Sequence, residues 1–263
     1  MNKTYETLLL TEQDHVLTVV LNRPQSGNAL NTQMLTDLVD LFSELYVDPA
    51  QVRCLVMTGA GEKIFCAGGD LKERHGMSDE AWRRQHALTE QLMRHIQDCP
   101  VPIIAAINGA AFGGGCELAV AVDFAYAAET ARFALTEVTL GIIPGASGTQ
   151  NLPRACGVRR AKEITLTGLP FNAREAYDWG VVNKVCAPDQ LLNETMATAK
   201  RIAQNAPISI RQAKKSLTMA TQLDLSSGYR FELEAYYRTI PTKDRLEGVR
   251  AFNEKRPANF TGE

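Results

Sequence analysis

The sequence predicts an α/β fold with a helical C-terminal region, on three observations. Short apolar runs of strand length alternate with segments of helical periodicity. Glycine clusters stand where apolar runs end, at Gly68-Gly69 and Gly113-Gly114-Gly115. No strand pattern of any length recurs in the last 70 residues. A strand leads into each glycine turn and a helix leaves the second. Stacked β-β-α or crossover β-α units produce that alternation, with ligands bound outside the strand ends.

In chain order, Thr4 to Leu10 and His15 to Leu21 are rich in Leu, Val and Thr. Split by Glu12-Gln13-Asp14, they read as two antiparallel strands joined by a turn. Asn22 to Asn28 breaks the pattern. Asn31 is a plausible N-cap for an amphipathic helix carrying Met34, Leu35, Leu38, Val39, Leu41, Phe42 and Leu45, which stops near Asp48-Pro49. Cys54 to Met57 is a buried strand ended by Gly59-Ala60-Gly61. Ser78, with Asp79 and Glu80 in a first turn, opens a helix that runs to Asp98 and is ended by Pro100. Val101 to Ile107 is apolar enough for a central strand. The triple-glycine turn then enters a helix with no polar side chain from Leu118 to Val122, which points to burial on all faces. Phe124 to Ala128, Arg132 to Leu135 and Val181 to Val185 read as short strands. Helices follow near 159–167, 173–179, 189–205, 207–220, 225–239 and 242–253. The expected division is a core over 1–188 and a helical appendage over 189–263.

Composition narrows the function classes. With 28 Lys+Arg against 30 Asp+Glu, the net charge of −2 gives no nucleic-acid footprint. The six cysteines form no C-x-x-C pair and read as reduced, buried thiols. The start, Met1 to Glu6, has no basic segment followed by an apolar one, and no run approaches the roughly 20 apolar residues of a membrane span. A soluble, cytoplasmic protein is expected. The four histidines include no H-x-x-x-H, which argues against a metal site. The glycine turns match neither G-x-G-x-x-G nor a Walker element, and Ser147 lacks the second glycine of a nucleophile elbow.

What remains is a pair of carboxylates, Glu117 and Glu137, each beside a glycine turn and each in apolar sequence. Burial raises a carboxyl pKa and a second carboxylate nearby raises one of the two further, giving an acid and a base near neutral pH. The turns at Gly68-Gly69 and Gly113 to Gly115 each offer a backbone N–H to an oxyanion. Two carboxylates and an oxyanion hole suit a reaction through the enolate of a carbonyl compound, either proton transfer or water addition.

Six fragments, in order, resemble the crotonase (enoyl-CoA hydratase/isomerase) superfamily. They are Asn22-Arg23-Pro24 with Asn28-Ala29-Leu30; Phe65 to Glu73; Pro102 to Gly109; Gly113 to Ala119; Pro144 to Gln150; and Ala251 to Arg256. The resemblance implies a spiral of β-β-α turns with a C-terminal helical trimerisation region, assembled as a homotrimer or a dimer of trimers. It implies an acyl-CoA thioester substrate, with coenzyme A part of the substrate and no separate cofactor. The thioester oxygen would meet the N–H groups of Gly69 and Gly114, and Ala67, Asp70, Leu71 and Lys72 would bind the acyl-CoA. The hydratase branch has two glutamates twenty positions apart, the spacing of Glu117 and Glu137. By this likeness Glu117 activates water and Glu137 handles the proton at the α-carbon, in syn addition to a trans-2-enoyl-CoA; a related isomerase or lyase is the alternative. A closer likeness, over 66–74 and 239–248, is to the methylglutaconyl-CoA hydratase branch, a further alternative for the activity, which also binds AU-rich RNA through a lysine-rich first helix. Residues 31–48 here hold no Lys or Arg, so no nucleic-acid partner is expected. The tail cations Arg211, Lys214, Lys215, Lys243, Lys255 and Arg256 read as solvated, or as contacts to CoA phosphates or a second subunit.

Overall fold

A computed structural model describes residues 3–263; Met1 and Asn2 lie outside the described residues. Strands β1 (Leu8–Gln13) and β2 (Val16–Leu21) form an antiparallel hairpin, followed by α1 (Thr32–Val47) and β3 (Cys54–Gly59). Then come β4 (Ile64–Cys66), α2 (Leu71–Arg74), α3 (Asp79–Asp98), β5 (Ile103–Ile107), β6 (Ala110–Phe112) and α4 (Gly114–Ala121). Next are β7 (Phe124–Ala128), β8 (Arg132–Ala134), α5 (Gly148–Cys156), α6 (Val158–Thr167), β9 (Phe171–Asn172), α7 (Ala173–Asp178) and β10 (Lys184–Cys186). Helices α8 (Leu191–Ala203), α9 (Pro207–Met219), α10 (Leu225–Tyr237) and α11 (Lys243–Glu254) complete the chain.

The strands sort into two sheets, ordered β1-β2-β3-β5-β7-β10 and β4-β6-β8-β9. After the β1-β2 hairpin, the strand pairs β3-β4, β5-β6 and β7-β8 each give their first strand to the larger sheet and their second to the smaller. Thus β3, β5 and β7 run parallel in one sheet while β4, β6 and β8 run parallel in the other. That is the spiral of β-β-α turns.

The apolar pattern explains the packing. In β3 and β5, Leu55, Met57, Ile103, Ala105 and Ile107 face a large core shared with α1 and α3. The alternate residues Cys54, Val56, Ile104 and Ala106 face a second core that includes Leu191, Ala199 and Ala203 of α8. A strand buried on both faces reads as a continuous apolar run. Helix α8, placed by the sequence in the C-terminal region, covers this second face of the sheet, whereas α9 to α11 contribute few buried side chains.

Three local expectations need correction. The hairpin turn is Asp14-His15, with φ of 52° and 63°, and not Glu12-Gln13-Asp14. A two-residue loop needs positive φ at both positions to match strand twist, and the polar Glu12 and Gln13 are tolerated on an outer strand where they face solvent. The last strand begins at Lys184 because the N–H groups of Val181 and Val182 bond Ala176 O, ending α7. Helix α5 was not anticipated: it opens on Gly148 and contains Pro153, both poor helix formers.

The N-terminus of α4 is wedged against the end of β4. A Cβ on Gly115 would lie 2.0 Å from Cys66 O. Gly115→Ala must therefore push α4 away from β4, and overpacking of this kind costs about 1–3 kcal/mol. The expected result is a lower urea midpoint at unchanged slope; an unchanged midpoint would show that α4 can shift freely.

Candidate active site

The carboxyl ends of the three adjacent parallel strands β4, β6 and β8 bring the predicted residues together, as the crevice rule for parallel sheets anticipates. Gly68-Gly69 follows β4, Gly113-Gly114 follows β6, and Glu137 comes three residues after β8. The two glycine turns touch: a Cβ on Gly68 would sit 2.7 Å from Phe112 O and 3.0 Å from Gly114 N, and Gly68 has φ +89°. Side chains are excluded there by space as well as by conformation.

The segment 67–70 is held by 27–30. Leu30 N donates to Gly68 O at 2.8 Å and Asp70 N to Leu30 O at 3.1 Å, while Ala67 N bonds Gly27 O. This bridge leaves the Gly69 N–H outside it. Gly114 is the first residue of α4, so its N–H is one of the helix's unclaimed donors. Fully buried Asn28 locks the supporting loop: its Oδ1 accepts from Arg23 N and its Nδ2 donates to Ala60 O and Ile64 O.

Glu117, 3% exposed, lies in the first turn of α4. Its Oε1 accepts from Ala146 N at 2.7 Å and Gly148 N at 2.8 Å. Ser147 between them has φ 69°, which turns both N–H groups toward one oxygen. Burial pushes the Glu117 carboxyl up to about 7, with a contribution from Glu137, while the two N–H groups pull the other way. Glu137, 8% exposed, opens a short 3-10 turn over Glu137–Leu140. Its Oε2 is buried without a hydrogen-bond partner, and burial raises its carboxyl too.

Both glutamates line a cleft of about 700 Å³, together with Ala67, Gly69, Leu71 and Gly114. Asp70 and Lys72 are not part of its lining. Asp70 works as a clamp: it caps α2 by accepting from Lys72 N and Glu73 N and pairs with Arg23 Nη1 at 2.9 Å. Burial opposes its charge, yet Arg23 and those N–H groups hold its carboxyl below the ordinary value. A second cleft, of about 1030 Å³ between α9 and the helices α3 to α5, contains none of the predicted site residues. Of the tail cations, Lys214 pairs with Asp123, Lys243 with Glu263 and Arg256 with Glu247 and Glu254, all within the chain.

Several contributors escaped the sequence reading. The Ala146 and Gly148 donors lie on a loop whose Ser147 drew attention as a failed nucleophile; the signal was the left-handed turn chemistry, not the hydroxyl. Leu140, Ile142 and Ile143 form an apolar mouth, and Arg74, Trp82 and His86 add a polar, aromatic wall. Trp82 and His86 stand on the helix predicted from Ser78, whose cap shows where it begins but not which side chains face the cleft.

Residues 11–263 match the family model described as enoyl-CoA hydratase/isomerase. The putative enoyl-CoA hydratase/isomerase YngF of Bacillus subtilis is 44% identical over 97% of this chain and 98% of its own length. The crotonyl-CoA hydratase of Syntrophomonas wolfei is 40% identical over 97% and 98%. The crystal structure of enoyl-CoA hydratase from Bacillus anthracis superposes with a TM-score of 0.96 at 44% identity, covering 98% of this chain and 100% of that one. The chain belongs to the enoyl-CoA hydratase/isomerase family, and is an enzyme of the crotonase superfamily.

Proposed function

We propose that the protein is an enoyl-CoA hydratase that adds water syn across a trans-2-enoyl-CoA, giving a 3-hydroxyacyl-CoA through a thioester enolate. The observation that carries this reading is one cleft holding two buried carboxylates in unlike environments beside two unclaimed backbone N–H groups. The hydratases among its relatives support it.

Glu117 suits the base. Two N–H donors on Oε1 favour its ionised form, leaving Oε2 for the water. Glu137 suits the acid, because a buried oxygen with no donor favours the protonated form. Glu117 takes a proton from water as the hydroxyl oxygen bonds to C3. The C2=C3 electrons move toward the thioester, and the enolate oxygen is held by Gly69 N–H and Gly114 N–H. Glu137 then delivers its proton to C2 on the same face, and proton exchange between the two carboxyls resets the pair. No separate cofactor is needed. Unpaired cysteines, six in all, suit a reducing compartment and the cytoplasm.

Residues 189–263 serve, in this reading, as the trimerisation region. Leu225 is 90% exposed and Phe252 83%, with Tyr229, Tyr236, Tyr237, Leu246 and Val249 also exposed, large apolar side chains that all stand on α10 and α11. Light scattering is expected to give the mass of three or six chains; a monomer would overturn this assignment.

The hydration itself is read from loss of the enoyl-thioester absorbance with crotonyl-CoA. Glu117→Gln and Glu137→Gln should each lower kcat by about 10²–10⁴. Full activity in both variants, or no hydration of any 2-enoyl-CoA by the native protein, would remove the reading.

The pH profile tests the division of roles. A base must be ionised to act, so kcat/KM should rise with pH through a midpoint near 7, where burial places Glu117. A flat profile between about pH 5 and 8 would contradict Glu117 as the base.

A further inference from the structure

The peptide at Gly69 has a cation packed against it. A Cβ on Gly69 would lie 2.8 Å from Arg74 Nη1, 2.9 Å from its Cζ and 3.2 Å from its Nη2, so the guanidinium fills the space a side chain at 69 would take. The same Cα carries the N–H proposed to meet the thioester oxygen. Arg74 is half-buried and lines one cleft with Gly114, Glu117 and Glu137.

The guanidinium is held on two further sides. Its Nε donates to Gln85 Oε1 at 2.8 Å, and it lies over the Trp82 ring, 4.5 Å from the centroid. Gln85, 3% exposed, is fixed in turn, its Nε2 donating to Thr32 Oγ1 at 2.9 Å and Glu73 Oε2 at 2.6 Å. Thr32 N donates to that same Glu73 oxygen. The nearest acid in sequence is therefore already engaged elsewhere.

Arg74 has no ion-pair partner among the described residues, whereas Arg83 and His86 of the same cleft face Asp79 at 3.9 Å and Glu90 at 3.8 Å. Burial opposes the charge of Arg74 and lowers its pKa, with Glu73 a partial counterweight. Taking a cation from water without supplying an anion is costly, and the cost is recovered when an anion arrives. An unreacted thioester is neutral. Its oxygen turns anionic as the enolate forms beside Gly69, so the charge of Arg74 is answered in the transition state and not in the bound substrate. Only an interaction of that kind raises kcat. A charge already fixed in place needs no reorganisation at that moment.

We propose that Arg74 is a positioning residue that acts through Gly69: its guanidinium, admitted because residue 69 has no side chain, seats the donor peptide and adds its positive charge to the field that holds the thioester oxyanion. The inference deepens the hydratase reading of the cleft and rests on it for the acyl-CoA.

The test reads the thioester carbonyl itself. Butanoyl-CoA, isotope-labelled at the thioester carbon, cannot be hydrated, and its carbonyl stretch falls in frequency as the oxygen is polarised; isotope-edited infrared spectroscopy follows it on the protein. The native protein is expected to lower the frequency relative to free ligand. Arg74→Met should lose much of that lowering and Arg74→Lys should keep more of it. With crotonyl-CoA, Arg74→Met should lower kcat about ten- to a hundredfold at little change in KM, as expected for one charge a few ångströms away at an effective dielectric of about 20. Gly69→Ala keeps the N–H and displaces the guanidinium, so it should move both readings in the same direction. Adding it to Arg74→Met should then bring little further loss.

An unchanged carbonyl frequency in Arg74→Met overturns the proposal, as does loss of butanoyl-CoA binding, which would place the guanidinium on the CoA. Losses from Gly69→Ala and Arg74→Met that simply multiply would also overturn it, because the two residues would then act separately. The hydratase reading fails on different evidence. Hydration by the native protein with no spectral change in Arg74→Met removes this inference alone. An Arg74-dependent carbonyl shift without hydration of any 2-enoyl-CoA removes the hydratase assignment and leaves Arg74 beside the thioester.

Discussion

The site depends on how closely two pieces of backbone approach each other. Strands β4 and β6 are parallel neighbours, and neighbouring strands lie about 4.8 Å apart. The turns that leave them can stay in contact only if neither carries a side chain on the facing side. Gly68 meets Phe112 O and Gly114 N, and Gly115 meets Cys66 O, at distances no Cβ could occupy. Glycine is required here by exclusion of volume. Its consequence is chemical: two backbone donors, one from a bridged loop and one from a helix start, reach a single cleft without any side chain having to be ordered. Peptide donors held by a sheet need no reorganisation when charge develops near them, and that is where such donors gain their strength.

Around this frame, the two glutamates differ through their surroundings alone. Both are buried and both have raised pKa values. Glu117 is answered by two N–H groups from the loop that opens α5, and a Cβ on Gly148 would lie 2.7 Å from its Oε1, so the loop fits the carboxylate with no space to spare. A hydrogen bond to a charged group contributes about 1.5–3 kcal/mol, enough to offset a good part of the burial cost. Glu137 has no such support at Oε2. One residue type in two environments is how a pair of carboxyls divides into base and acid.

Much of this was legible in the sequence, for a physical reason. Glu117 and Glu137 stood out because a charge in an apolar run must be compensated or used. The turns at Gly68-Gly69 and Gly113 to Gly115 stood out because glycine clusters at strand ends mark backbone approach, while the choice of Gly69 and Gly114 within them rests on the family likeness. The helices from Asn31 and Ser78 were placed correctly because their caps are local, with Asn31 and Ser78 accepting from the N–H three residues on. What could not be read depends on contacts distant along the chain. Asp70 belongs to a motif that implies ligand binding, yet its carboxylate is taken by Arg23, 47 residues away in sequence. Helix α5 has poor propensity and forms in the setting of α4 and α6, which pack beside it. Ser147 attracted interest for its hydroxyl, while its backbone angle is what matters.

The clamp at Asp70 ties the peptide at Gly69 to the wall of the cleft. Residue 69 offers the proposed oxyanion donor, residue 70 caps α2, and α2 ends at Arg74 after a single turn. A helix rises about 1.5 Å per residue, so the guanidinium cannot travel far from the peptide at Gly69, and it folds back against that residue's Cα. The proposed oxyanion peptide and the guanidinium are therefore separated by a length that the backbone sets, independent of the mouth at Leu140 to Ile143. The guanidinium stacks on Trp82 and is held through Nε by Gln85, so this part of the wall is fixed from two sides. The same four-residue helix that follows the proposed oxyanion peptide thus also sets one wall of the cleft.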